Sequence, residues 1–384
     1  LDPIYTVNFA HRDKPIQIFK DLKRLSGEVA DLEPDFHRKA EKYLASAQKI
    51  FQDTEYKVIK KNFNSLGDYL FQLTKVPWQH APMMFRSMWK ELSKHFDAEE
   101  VKIIFSLVAF FLGSTPFDTP AVYSLLNYTE LKHDGYWNVK GGMYQIVRSI
   151  IDLLERFNVD ISYNTRIVDY QQESGNITGF VDQKGKVWKS DIFIANADAA
   201  AFRGQVMQKP KYREEKLDTM HWTLAPFTMY LGVNGKVGNL DHHNYFLGSN
   251  FKDYAKTIFH TSEAPEHPYY YVSVSSKSNP ESAPPGCQNL FVLCPVPDLR
   301  HKPDWSDANQ LSENIINDLS KRTGFPIKEN LLVKEVWTPE DWRDNFNLYK
   351  GSGLGLAHDM NQIGGFRPSN KDENFCNLYY TGAS

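Results

Sequence analysis

Apolar residues recur at helical spacing through the first third of the chain. Ala40, Leu44 and Phe51 are separated by lysines, glutamates and glutamines, and an apolar spacing of three to four residues predicts amphipathic helices. We therefore expect residues 1–133 to be mostly helical. The longest apolar run, residues 103–112, is too short to span a bilayer. It predicts a buried helix, or one that lies against a membrane or lines the entrance for a lipid-like ligand.

The pattern changes between residues 134 and 198. The pair Gly141-Gly142 precedes a predicted helix whose apolar face runs from Met143 to Phe157. Short alternating segments then predict strands, and the last of them, residues 191–198, is predicted to be a buried strand with a polar end. The other predicted strands of this region are residues 159–163, 166–170, 177–182 and 186–188.

A second set of strands is predicted between residues 199 and 335, with helices around Tyr254 and over residues 307–323. Because strands and helices do not alternate regularly, this part indicates an α+β arrangement. Residues 336–384 are rich in glycine and asparagine and are predicted to be irregular. The closing strand and the abrupt start predict that both ends of a longer protein are missing. The predicted strands are residues 227–233, 244–247, 269–274 and 290–294.

Composition narrows the class of protein. A chain of 384 residues, 41% hydrophobic and 24% charged, is typical of a globular protein of about two domains. The net charge of −3 argues against nucleic acid as a partner. Three cysteines form no disulfide framework and fit a reducing compartment. The aromatic content of 14% fits either a large aromatic core or a pocket for a large apolar ligand.

Generic catalytic and metal-binding motifs are weak in this sequence. The loop Gly351–Leu356 is glycine-rich but lacks the spacing of a dinucleotide-binding motif, so a mobile loop is the simpler interpretation. His242 and His243 are predicted to point to opposite faces of one strand, and no third ligand is suitably spaced, so no metal is expected. Patterning alone predicts a large α/β protein with a mixed sheet that binds something apolar.

Several ordered segments resemble the CrtI-type phytoene desaturases, a family of FAD-dependent carotenoid desaturases. The similarity extends over residues 135–384 and is greatest to the members found in Bacteroidetes. It is carried by Gly-Tyr-Trp-Asn-Val-Lys-Gly-Gly-Met at 135–143, Tyr-Asn-Thr-Arg-Ile-Val at 163–168, Ala-Asn-Ala-Asp at 195–198, the His-His segment at 240–244, Pro-Pro-Gly-Cys at 284–287, Cys-Pro-Val-Pro at 294–297, Thr-Pro-Glu-Asp-Trp-Arg at 338–343, Gly-Ser at 351–352, Phe-Arg-Pro at 366–368 and the final strand 377–384.

This resemblance implies an α/β and α+β fold. A partial FAD/NAD(P)-binding domain of glutathione-reductase type would be interleaved with a mixed-sheet plus helical substrate domain. Residues 1–133 would be the helical part of the substrate domain, and residues 134–198 part of the FAD-binding domain. Residues 199–370 would form the mixed-sheet substrate domain, and residues 371–384 the return strand to the FAD-binding domain. The β-α-β unit that carries the family's G-x-G-x-x-G motif is not in this sequence.

The resemblance also implies the residues that approach FAD. The backbone of Ile167 would meet the adenine, and Asn196 and Ala197 would lie near the cofactor at the end of a strand. Gly382 and Ala383 would let the chain approach the FAD phosphates, because a large side chain there would block the approach.

Arg86 aligns with an arginine of the family's active region and is the candidate catalytic residue. Its neighbours are methionine, phenylalanine and tryptophan, so it could lie at the edge of an apolar pocket. The alternative is a solvated arginine on a helix surface. Arg343 and Arg367 are further candidates, each for a structural role or for a cofactor phosphate.

The implied function is FAD-dependent desaturation of phytoene, or of a related C30–C40 precursor, in carotenoid synthesis. The partners would be an apolar polyene and a membrane surface, to which a cytoplasmic enzyme would attach peripherally. Two alternatives stay open: a carotenoid oxygenase, isomerase or saturase of the same family, or a non-catalytic fragment that binds an apolar ligand. The number of desaturation steps, the final electron acceptor and the oligomeric state are left open.

Overall fold

A computed structural model describes residues 1–63, 65–259, 268–358 and 362–382. Within these ranges, helices dominate the first third of the chain and strands the remainder. The strands are β1 (Tyr5–Phe9), β2 (Ile16–Ile18), β3 (Ile167–Glu173), β4 (Asn176–Asp182), β5 (Val187–Trp188), β6 (Phe193–Ala195), β7 (Ala225–Asn234), β8 (His243–Leu247), β9 (Tyr270–Ser273), β10 (Cys287–Val296), β11 (Leu331–Trp337) and β12 (Leu378–Tyr380).

The α-helices vary from single turns to five turns in length. They are α1 (Leu22–Glu28), α2 (Phe36–Thr54), α3 (Leu66–Leu73), α4 (Ala81–Phe85), α5 (Met88–Leu92), α6 (Glu99–Ser106), α7 (Val108–Phe111), α8 (Leu125–Tyr128), α9 (Tyr144–Arg156), α10 (Ala199–Ala201), α11 (Glu214–Leu217), α12 (Phe251–Thr257), α13 (Ser275–Ser278), α14 (Ala308–Thr323) and α15 (Pro339–Phe346).

A seven-stranded mixed sheet organises most of the chain. Its strand order is β11-β7-β10-β9-β8-β1-β2, with β1 parallel to β8 and every other neighbouring pair antiparallel. The expectation that residues 1–133 are mostly helical was wrong for β1 and β2. The prediction of irregular structure after residue 335 missed α15, and β11 was not foreseen. Because these strands add to the edges of a sheet built from distant residues, their local pattern carries little signal.

The two faces of this sheet are covered differently. Alternate residues of β7 and β10, including Met229 and Val292, pack against Leu311, Ile315 and Leu319 of α14 in a closed hydrophobic core. This alternation follows from the two-residue period of side chains along a strand. The other face meets the helical first third of the chain, whose own core joins β1 and β2 to α1, α2 and α5–α7.

Residues 134–198 form smaller elements. The strands β3, β4 and β5 make an antiparallel sheet, while β6 pairs in parallel with β12 and so connects this region to the end of the chain. Two predictions were wrong here. Residues 159–163 form no strand, because no neighbouring strand among the described residues offers them hydrogen bonds. The predicted buried strand is reduced to β6, and its Ile194 is exposed.

The helix α9 forms where the sequence predicts it, but its apolar face is uncovered. None of its thirteen residues is buried, and Ile146, Val147, Ile150 and Leu153 are all exposed. An amphipathic helix normally packs its apolar face against a core. The face of α9 is thus a contiguous apolar surface without a covering element among the described residues.

Candidate functional site

An elongated cavity of about 540 Å³ lies on the open face of the seven-stranded sheet. One row of side chains crosses its floor, because Thr228 on β7 pairs with Leu293 on β10, which pairs with Tyr271 on β9, which pairs with Tyr245 on β8. Tyr5 continues the lining on β1. Five adjacent strands therefore contribute, and at the usual strand spacing the cavity crosses about 19 Å of sheet.

The roof of this apolar cavity comes from helices and one loop. Phe110 and Phe111 of α7, Phe251 of α12 and Trp342 of α15 face the floor. The apolar run 103–112 is therefore a largely buried, broken helical segment whose end lines a cavity. The roof also includes the glycine-rich loop, at Gly353 and Leu354. This loop is fixed by backbone hydrogen bonds to the two residues just before β7, one of them 3.0 Å long from the Gly353 N–H to the Leu224 carbonyl.

Five rings, which we call the tyrosine cluster, meet at the β1–β8–β9 end of the cavity. Its members are Tyr5, Tyr136, Tyr245, Tyr271 and His243, and all five line the cavity. The ring centroids of successive members are 5.3–6.3 Å apart around a closed circuit. Within the cluster, the Tyr271 hydroxyl is hydrogen-bonded to His243 Nδ1.

A buried carboxyl group, Glu130, lies behind the tyrosine cluster. Its Oε1 accepts a 3.1 Å hydrogen bond from the Tyr136 hydroxyl, its Oε2 has no partner, and it makes no ion pair with any described residue. Burial raises the pKa of Glu130 to about 7. Burial also lowers the pKa of His243 to about 4, and raises those of Tyr5 and Tyr245 well above the usual range. Burial raises the pKa values of Tyr136 and Tyr271 as well, so the five rings of the tyrosine cluster are uncharged at neutral pH.

A second, more polar cavity of about 370 Å³ lies where β6 and β12 end. Ala197 and Gly382 both line it. Gly382 has φ +92°, and a Cβ added there would be 2.2 Å from Asn196 Oδ1. A side chain is thus excluded at Gly382 by both its backbone conformation and the contact with Asn196. The two segments predicted to approach the cofactor, at Asn196-Ala197 and at Gly382, therefore meet at this polar cavity.

Arg203 is a buried cation in the wall of the polar cavity, and the sequence analysis missed it. It is buried, its guanidinium lies 3.7 Å from the ring centroid of Tyr380, and Nη2 donates a 2.9 Å hydrogen bond to the Ser369 carbonyl. Its Nε has no partner, and it makes no ion pair with the residues described. A buried cation without a carboxylate, beside a backbone position that only glycine fits, matches the requirements of a phosphate group. No local motif marks this arginine.

The remaining predicted cofactor residues are less directly placed. Ile167 begins β3 and packs at the edge of the core that contains Phe180 and Leu378. Among the described residues it is not one that lines the polar cavity. Ala383 lies outside the described residues. The assignments of Ile167, Asn196, Ala197, Gly382 and Ala383 to FAD stay predictions.

The three candidate arginines occupy different positions. Arg86 pairs with the buried carboxylate of Glu91 and lines neither cavity, so its catalytic role stays a prediction. Hydrogen bonds, first from His95 and then from Arg86, lower the pKa of Glu91 to about 2. Arg343 pairs with exposed Asp344. Arg367 lines the polar cavity and donates a 3.0 Å hydrogen bond to the Leu356 carbonyl.

The histidine pair is arranged differently from the expectation. The rings of His242 and His243 lie 4.4 Å apart, rather than on opposite faces, because β8 begins only at His243. His242 Nδ1 is hydrogen-bonded to the Ser278 hydroxyl at 2.8 Å. Within the described residues, no group of three or more potential ligands could hold a metal ion.

Known proteins similar to this chain are carotenoid desaturases. The chain is 28% identical to the phytoene desaturase of Neurospora crassa over 91% of its own length and 61% of that enzyme. It is 29% identical to the zeta-carotene-forming phytoene desaturase of Myxococcus xanthus, over 100% of its length and 74% of that enzyme. The similarity to carotenoid desaturases that the ordered segments predict is therefore found over most of the chain. No protein-family model matches it.

Solved structures confirm the predicted fold class of this chain. A double mutant of putrescine oxidase matches it with a TM-score of 0.59 and 12% identity, over 98% of this chain and 74% of the other. An oxidoreductase from Methanosarcina mazei matches with a TM-score of 0.53 and 14% identity, over 99% and 75%. The chain therefore shares the fold of these two oxidoreductase structures. The finer similarity to Bacteroidetes members and the domain boundaries stay predictions.

Proposed function

We propose that this chain forms the substrate site, and part of the FAD site, of an enzyme that desaturates an acyclic carotenoid precursor of the phytoene type. The observation that carries the proposal is the elongated apolar cavity across five strands of the sheet. A long polyene without polar groups needs such a cavity, because its affinity comes almost entirely from buried apolar surface. The desaturases to which the chain is similar carry this activity in their names.

FAD is the cofactor that we propose for the polar cavity. Arg203 would hold a phosphate group, with Gly382 allowing the close approach of the backbone and Ala197 leaving space beside it. Bound FAD would supply the acceptor for the hydride that desaturation removes from the polyene. This chain's own residues would orient the polyene and exclude water. Phe110, Phe251 and Trp342 would cover the polyene on one side, and the sheet would support it on the other.

The exposed face of α9 fits a protein that is longer than this chain. We propose that residues outside the chain cover Ile146, Ile150 and Leu153 and complete the FAD-binding domain beside β6 and β12. The covering would remove a large apolar patch from water, which globular proteins rarely leave exposed. The chain spans only 61% and 74% of the lengths of the two desaturases described above, which supports this proposal.

We propose that the protein attaches peripherally to the cytoplasmic side of a membrane. Over the described residues, no helix is both long and apolar enough to cross a bilayer. The stretch 55–85 instead exposes large apolar side chains beside lysines: Trp78 is 86% and Phe85 84% exposed, and Lys75 lies 4.5 Å from the ring centroid of exposed Phe71. Aromatic residues combined with lysines are typical of surfaces that insert into the membrane interface.

Product analysis tests the activity. The complete protein, expressed in cells that make phytoene, should convert it to more unsaturated products. Leu293→Trp should fill the cavity and abolish conversion, whereas Leu332→Trp, on an exposed position of β11, should not. Unchanged phytoene with the wild-type protein would reject the proposal. An oxygenated, isomerised or saturated product would instead identify one of the alternative reactions of the family.

The cofactor proposal has its own measurement. The purified complete protein should show a flavin absorbance spectrum with one FAD per chain, and Arg203→Gln should lower the FAD content after gel filtration. Arg213→Gln, at an exposed arginine outside the polar cavity, is the matched control. A colourless wild-type protein would favour the non-catalytic binder of an apolar ligand.

Cosedimentation with anionic vesicles tests the membrane surface. Trp78→Ser should reduce the bound fraction several-fold, since an interfacial tryptophan loses most of its buried apolar area. Trp137→Ser, at a residue that is also 84% exposed, is the control and should bind as the wild type does. Equal losses in the two variants would show that residues 55–85 are not the membrane-contacting surface.

A further inference from the structure

The hydrogen-bonding capacity of the tyrosine cluster is not used up within the protein. Tyr271 and Tyr136 are committed to His243 Nδ1 and to Glu130, respectively. The Tyr245 hydroxyl makes no hydrogen bond with any described residue, and neither does His243 Nε2. The two residues are two positions apart on β8, so their side chains project from the same face of the sheet. Both line the apolar cavity.

We propose that Tyr245 and His243 bind a neutral oxygen, a hydroxyl or a carbonyl, at one end of the chain-like ligand that fills the cavity. This inference rests on the proposed function for the cavity, and it specifies the preferred class of substrate within it: an isoprenoid chain of the phytoene type that carries an oxygen at one end. The tyrosine cluster is then the end of the cavity that fixes the direction in which the ligand enters.

Electrostatics favour a neutral oxygen over a charged group. Burial holds the pKa of His243 far below neutrality and that of Tyr245 far above it, so both offer hydrogen bonds without charge. Glu130 lies behind Tyr136, and its Oε1 accepts a 3.1 Å hydrogen bond from the Tyr136 hydroxyl. A ligand carboxylate would therefore approach a second carboxyl group in a buried site, which is unfavourable.

A hydrocarbon end would leave these two polar groups buried without partners. A protein site that is built to hydrogen-bond a ligand oxygen discriminates against the analogue that lacks it, because its own groups stay unsatisfied. Two such groups face the same space in this cavity. The oxygen-bearing ligand should therefore be preferred by roughly ten- to a hundredfold.

The test is a pair of ligands that differ only in the oxygen. Geranylgeraniol and the C20 isoprenoid hydrocarbon of the same unsaturation are titrated into the purified full protein by calorimetry in detergent. The ratio of their dissociation constants is compared between the wild type and Tyr245→Phe. Because partition into detergent is the same for both proteins, it cancels in this comparison. The preference for the alcohol should fall about tenfold in Tyr245→Phe, because the alcohol loses a hydrogen bond and the hydrocarbon no longer buries an unpaired hydroxyl.

Three further variants locate the effect. His243→Leu should reduce the preference as Tyr245→Phe does. Tyr163→Phe, at an exposed tyrosine outside the cavity, should not change it. Tyr254→Phe removes another hydroxyl in the cavity wall that is buried without a partner. A preference lost in Tyr254→Phe and retained in Tyr245→Phe would overturn the inference, since the oxygen would then be recognised elsewhere.

The remaining outcomes are equally decisive. Equal affinity of the wild-type protein for the two ligands, or no binding of either, overturns the inference. Because binding is measured without turnover, a protein that prefers the alcohol but leaves phytoene unchanged would contradict the proposed reaction and leave this inference standing. A protein that desaturates phytoene but shows no preference for the alcohol would support the proposed reaction and contradict this inference.

Discussion

The two faces of the seven-stranded sheet are made by the same strands, yet one is closely packed and the other lines a cavity. On β10, Leu290 and Val292 point into the core under α14, whereas Phe291 and Leu293 line the cavity. The residue types are similar on both faces, so hydrophobicity alone does not separate a packed face from a face that lines a cavity. The difference lies in what covers each face: α14 fits closely, while the helices and the loop on the other side leave about 540 Å³ empty.

Truncation of one leucine on each face should give the largest difference in the free energy of unfolding between the packed face and the cavity face. Leu290→Ala creates a void in a closed core and should lower the free energy of unfolding by about 2–5 kcal/mol. Leu293→Ala only enlarges an existing cavity and should cost on the order of 1 kcal/mol. Urea unfolding of the two variants measures both values. Equal losses would mean that the cavity face is packed as tightly as the other.

A buried carboxyl is a second feature of the cavity side. Glu130 has a folded-state pKa of about 7 against an ordinary value of 4.5. The folded protein therefore favours the protonated form of Glu130. The resulting contribution to the free energy of unfolding is fully present below pH 4.5 and is lost as the pH rises to about 7. From the pKa difference the loss is about 3 kcal/mol.

Glu130→Gln removes this titration and should therefore flatten the pH dependence of stability. The measurement is the free energy of unfolding in urea at pH 5, 6, 7 and 8 for the wild type and the variant. The difference between the two proteins isolates Glu130 from the other titrating groups, and it should shift in favour of the variant as the pH rises. Parallel curves would show that Glu130 titrates normally in the folded protein.

Local patterns predicted much of the fold. The helix α9, the strands β3–β5 and most strands of the large sheet lie where periodicity and turn residues place them, because these elements carry their own alternation. Elements that depend on distant partners were harder to predict. β1 adds to a sheet edge formed by β8, more than 230 residues later in the chain, and residues 159–163 have strand-like alternation without a neighbour to pair with.

The candidate site was less accessible to sequence reasoning for the same reason. Gly382 and Asn196 were predicted from the family resemblance to lie near FAD, and the structure places them next to each other. The tyrosine cluster draws its members from β1, β8, β9 and the segment before α9, so no spacing along the chain could reveal it. Arg203 follows a short alanine-rich turn that carries no phosphate-binding signal, and only its burial without a carboxylate marks it.

The apolar face of α9 gives the smallest expected effect in this chain, and it sharpens the difference between a face that is covered and one that is not. Ile150 is 53% exposed, so Ile150→Ser should change the free energy of unfolding of this chain by no more than about 0.5 kcal/mol. If residues outside the chain cover the face, the same substitution in the complete protein should cost about 2–5 kcal/mol, as for a truncation in a core. Thermal or urea unfolding of both proteins, each with and without the substitution, gives the comparison. An effect that stays small in the complete protein would show that α9 remains uncovered, and that its apolar residues serve contact with another surface rather than the FAD-binding domain.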